Sequence, residues 1–146
     1  MIENTDVIYR LILAVILSGL IGLERETHGR EAGLRTHILV GIGASLIMLT
    51  SIYIASQYGV GNPADPGRVA AGVVTGIGFI GAGTIIRSHA SIKGLTTAAS
   101  LWATAGIGLA IGSGFYLGAL ITTILILFSL IFLGKVERFI HCKEVR

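Results

Sequence analysis

The sequence predicts an all-α membrane protein of five transmembrane helices, with a glycine-rich third helix at its centre. Three observations carry that prediction. Of 146 residues, 53% are hydrophobic and only 13% are charged, about half the charged share of a soluble domain. The charges are also segregated. No Asp, Glu, Lys or Arg falls between Leu11 and Leu23, Ile38 and Tyr58, Val69 and Ile86, Leu95 and Phe115, or Tyr116 and Gly134. Runs of about 17–25 apolar residues are long enough to cross a bilayer. Glycine, at 21 residues, is roughly double its average usage, and it is densest between Asp65 and Ile86.

The chain reads as one transmembrane domain over 1–146. The opening MIENTD is acidic, not the basic start of a secretory signal, so the first apolar segment, about 7–23, is expected to remain as a helix. Ala14, Ser18 and Gly22 give it a small-residue face suited to close packing, and Arg10, near its start, can snorkel to the interface. The loop from Glu24 to His37 is charged and punctuated by Gly29 and Gly33. The second helix covers about 36–58, small in its first half and ending on Tyr53 and Tyr58. After the loop GVGNPADPG, Asp65-Pro66 is a helix start signal for a third helix over about 66–86. The loop RSHASIKG precedes a fourth helix over 95–112, with Thr96, Ser100, Thr104, Gly108 and Gly112 spaced by four. Only Ser113 and Gly114 separate it from the fifth, over 115–134, so these two form a tight antiparallel hairpin. The fifth is rich in Leu, Ile and Phe, as a lipid-facing helix would be. A charged tail occupies 135–146.

With five crossings, Arg10 and Arg68 fall on one side of the membrane. Arg25, Arg30, Arg35, Arg87, Lys93, Lys135, Arg138, Lys143 and Arg146 fall on the other. That nine-to-two bias predicts an outside N-terminus and a cytoplasmic C-terminus. The net charge of +3 therefore reflects topology, and nucleic acid is not an expected partner. Cys142 is the sole cysteine, which excludes an internal disulfide. GIG recurs at Gly41, Gly76 and Gly106 without further register.

Candidate functional residues lie mainly at segment ends. Glycines on the third helix occupy two faces: Gly72, Gly76 and Gly83 on one, Gly78 and Gly81 on the other. That helix is either packed on two sides or locally unwound over Gly76–Gly83, where free carbonyls could hold a solute. Glu24 and Glu26 either form a cation-attracting vestibule or pair with Arg35. Asp65 and Arg68 form a cap and one-turn ion pair, or an external access site. Thr96, Thr97, Ser100 and Thr104 can satisfy one another, Trp102 or a permeant group, and Trp102 is expected to fill the bundle interior. His28, His37, His89 and His141 lack ligand spacing. No metal site, cofactor or nucleophile–base pair is legible, so an enzyme is not expected.

Three blocks, GLERETHGREAGLRTHILV from Gly22, DPGRVAAGVVTGIGFIGAGTIIR from Asp65 and GLTTAASLWATAGIGLAIG from Gly94, resemble the MgtC/SapB family of bacterial membrane proteins. The resemblance implies a five-helix domain in the inner membrane. It implies characteristic polar positions at Glu24, Arg25, Glu26, Arg35, Thr36, Asp65, Arg68, Thr96, Thr97 and Trp102. Thr27 and His28 stand where arginines are common, and Gly72 where glutamine is common. Many members continue into a soluble C-terminal domain, and this chain is expected to hold the membrane domain alone. The implied role is adaptation to low magnesium, in some members inside host cells. Two mechanisms stay open. One acts by contact with other membrane proteins, which the small-residue faces and the absence of mid-membrane charge favour. The other is a small oligomeric transporter or channel for a divalent cation or other small solute. Either is expected to work as a homo-oligomer, a dimer first of all.

Overall fold

A computed structural model describes residues 3–58, 65–87, 91–134 and 136. Helix α1 spans Asn4–Thr27, α2 Leu34–Tyr58, α3 Pro66–Gly83, α4 Leu95–Ser113 and α5 Tyr116–Phe128, the last continuing into a π-helical turn at Ser129–Leu133. Strands β1, Ile86–Arg87, and β2, Ile92–Lys93, form a minimal antiparallel hairpin before α4. The expected loop RSHASIKG is thus partly strand, and its tip lies outside the described residues, as do the loop before Asp65 and most of the tail.

The protein is inside out relative to a soluble domain. Phe79, Leu39, Leu117 and Leu125 stand exposed, while Ser18, Ser45, Ser100, Thr104 and Thr123 are buried. The bilayer is the solvent for such a surface. Of these five hydroxyls, all but that of Ser45 have a partner. Ser18 donates to the Ala14 carbonyl, Ser100 to Thr97 (2.8 Å), Thr104 to Ser100 (2.8 Å) and Thr123 to Ala119 (2.8 Å). Bonding one turn back in this way hides a hydroxyl inside a helix without a partner from another helix.

Helix α4 is the centre, not α3. It packs against all four other helices, and α3, α2, α1 and α5 stand in that order around it as an arc of neighbours. Its buried positions include Thr97, Ser100, Leu101, Thr104, Ala105, Gly108, Ile111 and Gly112, a wide stripe of helical period. Trp102 lies off that stripe and is 55% exposed, so it faces lipid and does not fill the interior. Two small apolar clusters close the joints. Leu17 and Ile21 meet Ile107, Ile111 and Ala119 on one side of α4, and Ala44 and Ile77 meet Ala105 on the other.

The close helix contacts are made by glycines outside α3. A Cβ on Gly108 would lie 2.5 Å from the Gly41 carbonyl oxygen, and one on Gly112 would lie 2.6 Å from that of Ser45. A Cβ on Gly41 would lie 2.6 Å from Ser18, and one on Gly22 would lie 2.8 Å from the Leu34 Cα. Backbone contact of this kind is what small residues permit in lipid, and it seals the α1–α2–α4 junction. By contrast, Cβ atoms on Gly72, Gly76, Gly78 or Gly83 would meet nothing within 4 Å, and only Gly81 packs, 3.6 Å from Ala98. Helix α3 runs unbroken through all of them. Neither expected use of these glycines, a two-sided packing helix or an unwound segment, is realised within one copy.

Among the described residues, four helices are long and apolar enough to cross a membrane by length and composition: α1, Leu34–Gln57 of α2, α4, and α5 through Leu133. The 18-residue α3 is not among them. Its start meets α2 below the end of that helix, where Ser51 Oγ donates to the Pro66 carbonyl (3.3 Å).

Candidate functional site: the ionic end of the bundle

Helix α1 continues past its expected end at Leu23 to Thr27, and this extension builds the site. It carries Glu24 and Arg25 into the bundle, where both are buried. Arg25 closes a fork on its neighbour. Its Nε donates to Glu24 Oε2, and its Nη2 donates to Oε1 at 2.6 Å. The two buried charges cancel where they stand, and the planar guanidinium suits such a bidentate grip. Arg25 also sits in the last turn of α1, where a cation complements the helix dipole. His28 Nδ1 lies 3.2 Å from Glu24 Oε1 and 2.9 Å from the Glu24 carbonyl oxygen.

Glu26 has a different task. Its Oε2 accepts from the Leu34 amide at 2.8 Å, so it caps the start of α2 across the connecting loop. Gly33 makes room for it: a Cβ there would lie 1.8 Å from Glu26 Oε2. Arg35 is exposed and pairs with neither carboxylate. The expected alternatives, an open vestibule of carboxylates or a Glu–Arg35 bridge, both give way to a neighbour pair and a helix cap.

His37 completes the cluster and had no assigned role. It is fully buried. Its Nδ1–H donates to the Gly33 carbonyl (2.9 Å), and its Nε2 lies 3.1 Å from Ser100 Oγ. It links the first turn of α2 to the second turn of α4 through polar groups. The signal was present in the sequence: His37, Gly41 and Ser45 recur at four-residue spacing, and that face lies on α4. The Ser45 hydroxyl is the buried one left without a partner.

The predicted polar residues therefore divide. Glu24, Arg25, Glu26, Thr97 and Ser100 gather at one end, with Arg35 and Thr36 beside them on the first turn of α2. Thr96 is exposed on the outer side of α4. Asp65 and Arg68 stand at the far end of α3, roughly 27 Å away for an 18-residue helix. There Asp65 Oδ1 accepts from the Gly67 amide at 2.8 Å, capping α3, and Arg68 is exposed without an ion pair among the described residues. Arg10 also departs from expectation. It turns inward, its Nη1 donating to the Gly112 carbonyl (2.8 Å) at the end of α4, with its guanidinium 5.8 Å from the Tyr116 ring centroid.

No group of three or more His, Cys, Asp or Glu side chains is placed to hold a metal among the described residues. The site's chemistry is thus that of a neutralised ion pair and hydrogen-bonded helix ends. Comparison with known proteins adds the ancestry. A profile of the MgtC family matches residues 11–139. The chain belongs to the MgtC family. It is 53% identical over 117 residues to the protein named "Putative magnesium transporter YhiD" of Escherichia coli K12, covering 77% of this chain and 54% of that protein. It is 44% identical over 134 residues to Protein MgtC of Salmonella typhimurium LT2, covering 92% and 55%. An uncharacterised Haemophilus influenzae protein is 40% identical over 148 residues, covering 99% and 62%. The chain thus spans little more than half the length of these relatives. No solved structure matches it. Within this MgtC-family chain, the ionic end is built from the first of the three motif blocks, with Ser100 and Thr97 supplied by the third.

Proposed function

We propose that this MgtC-family protein is a non-enzymatic, multi-pass component of magnesium homeostasis that acts through contacts with other membrane proteins. The observation that carries the reading is the close α1–α2–α4 junction: at Gly41, Gly108 and Gly112 the helices meet backbone to backbone or backbone to Cβ, with no room for a solute between them at those positions. The carboxylates a divalent cation would seek at the ionic end are already engaged, Glu24 by Arg25 and Glu26 by the Leu34 amide. Meanwhile Gly78, on the face of α3 away from Gly72 and Gly76, borders open space, and such a small-residue surface suits helix–helix association in lipid. The magnesium context comes from the name of the Escherichia coli relative.

In this reading the protein sits in the bacterial inner membrane as a homo-oligomer, a dimer first of all. Five helices cross, with the N-terminus outside and the C-terminus cytoplasmic. The nine-to-two distribution of Lys and Arg supports the orientation. The second reading, an oligomeric transporter, is favoured by the same relative's name. It would place the solute path between copies, along α3. Mg²⁺ flux into proteoliposomes of the purified chain separates the two. A flat trace, with co-purification of an unrelated membrane complex, is expected. Sustained flux that Gly78→Leu abolishes would establish the transporter instead.

A further inference from the structure

An apolar groove of about 740 Å³ lies between α2 and α3. Leu39, Val40 and Ile47 form one wall, Val69, Val73 and Ile80 the other, and Ala44 and Ala105 lie among its lining. Gly43, Gly72 and Gly76 widen it, since a Cβ on any of them would meet open space. Thr36 is its one hydroxyl-bearing residue. From Thr36 to Ile47 the groove runs roughly 16 Å at the helical rise. That is about half the ~30 Å hydrocarbon core, the depth of a single leaflet.

One end of the groove is basic. The bond from Ser51 to Pro66 sets α2 and α3 antiparallel, so the first turn of α2 lies at the level of the end of α3. Arg35 precedes Thr36 there, and Arg87 lies just beyond α3 in β1. Both are exposed, and neither has an ion pair among the described residues. Lys93, opposite Ile86 in the hairpin, adds a third cation. Of the described carboxylates at this end, Glu24 and Glu26 are committed to Arg25 and the Leu34 amide. Glu31 is exposed in the α1–α2 loop with Arg30 beside it.

We propose that the α2/α3 groove seats an acyl chain of an anionic phospholipid from the leaflet on this basic side, with Arg35 and Arg87 holding its phosphate. Charge decides against a second copy as occupant. A two-fold dimer closed through this groove would bring the same basic end of each copy together and set Arg35 and Arg87 against like charges. A lipid phosphate is complementary instead, and cations at a membrane surface attract anionic headgroups.

The test uses the full chain in nanodiscs of equimolar phosphatidylglycerol and phosphatidylcholine with matched acyl chains, followed by native mass spectrometry of lipid retained on release. One phosphatidylglycerol is expected to stay bound, favoured over phosphatidylcholine roughly 25-fold, from about five-fold per cation. The double variant Arg35→Gln/Arg87→Gln should lose that preference while retaining phosphatidylcholine as before. Gly76→Leu, which fills the groove, should cut retention of both lipids more than ten-fold with the helical circular dichroism unchanged. Equal retention of the two lipids by the wild type would overturn the proposal. So would undiminished retention by Gly76→Leu, or a lipid-free dimer that Gly76→Leu dissociates.

Discussion

Residues of one type do opposite work in this chain, and neighbours decide which. Gly108 and Gly76 each sit in a GIG triplet. Gly108 is held against the backbone of α2, while Gly76 borders open space. Gly108→Ala should therefore force α2 and α4 apart at a cost of about 1–3 kcal/mol. Gly76→Ala should be neutral or stabilising by up to about 1 kcal/mol, the ordinary helix preference for alanine. Thermal unfolding in detergent compares the two directly. Glu24 and Arg25 give a second residue-scale prediction. Glu24→Gln leaves a buried guanidinium without its charge partner, which costs about 3–5 kcal/mol, and Glu24→Gln/Arg25→Gln should recover much of that loss. A single variant as stable as the wild type to denaturant would mean that the pair does not hold this end together.

At the scale of elements, the connections set the packing as firmly as the helix faces do. Gly94 begins α4 at φ +87°, and a Cβ there would lie 1.9 Å from the Thr84 carbonyl oxygen. This one residue brings the end of α3 against the start of α4. Gly94→Ala combines left-handed strain of about 1–3 kcal/mol with that overlap. It should loosen the β1–β2 hairpin, seen as faster proteolytic cleavage at Lys93. At the other end of α4, Gly114 at φ +87° turns the chain into α5, and its amide returns to Ile111 while that of Phe115 returns to Ala110. Arg10 covers the adjacent Gly112 carbonyl, so Arg10→Ala should cost about 1.5–3 kcal/mol, the range for a hydrogen bond to a charged group. Of these details the sequence showed the tight α4–α5 turn, because Ser-Gly between two apolar runs is a local signal. It did not show Arg10 reaching Gly112, 102 residues away in the chain, because nothing local encodes that contact.

For the whole molecule, the arrangement is a central α4 wrapped on four sides, with its Trp102 side left to lipid. The proposed orientation can be checked on this scale. In a Cys142→Ser background, Thr5→Cys should react with a membrane-impermeant maleimide in intact cells, and Arg30→Cys only after permeabilisation. The reverse pattern would invert the topology and move the ionic end outside.

The sequence by itself determined the class of the protein and the location of its helices. Those follow from run length, punctuation and composition, which are local quantities. Glu24, Arg25, Glu26, Thr97 and Ser100 were legible as polar groups bordering apolar spans, whereas the burial of His37 beside Ser100 was not. Only the tertiary structure decided which helix is central, which glycines touch a neighbour, and which partner each carboxylate takes. A helical repeat defines faces but not what lies against them. Gly72, Gly76 and Gly83 share a face by their spacing alone, yet that face is open, while the contacts fell to Gly41, Gly108 and Gly112. Packing depends on the neighbour across the interface, and that neighbour is fixed by the fold of the whole chain.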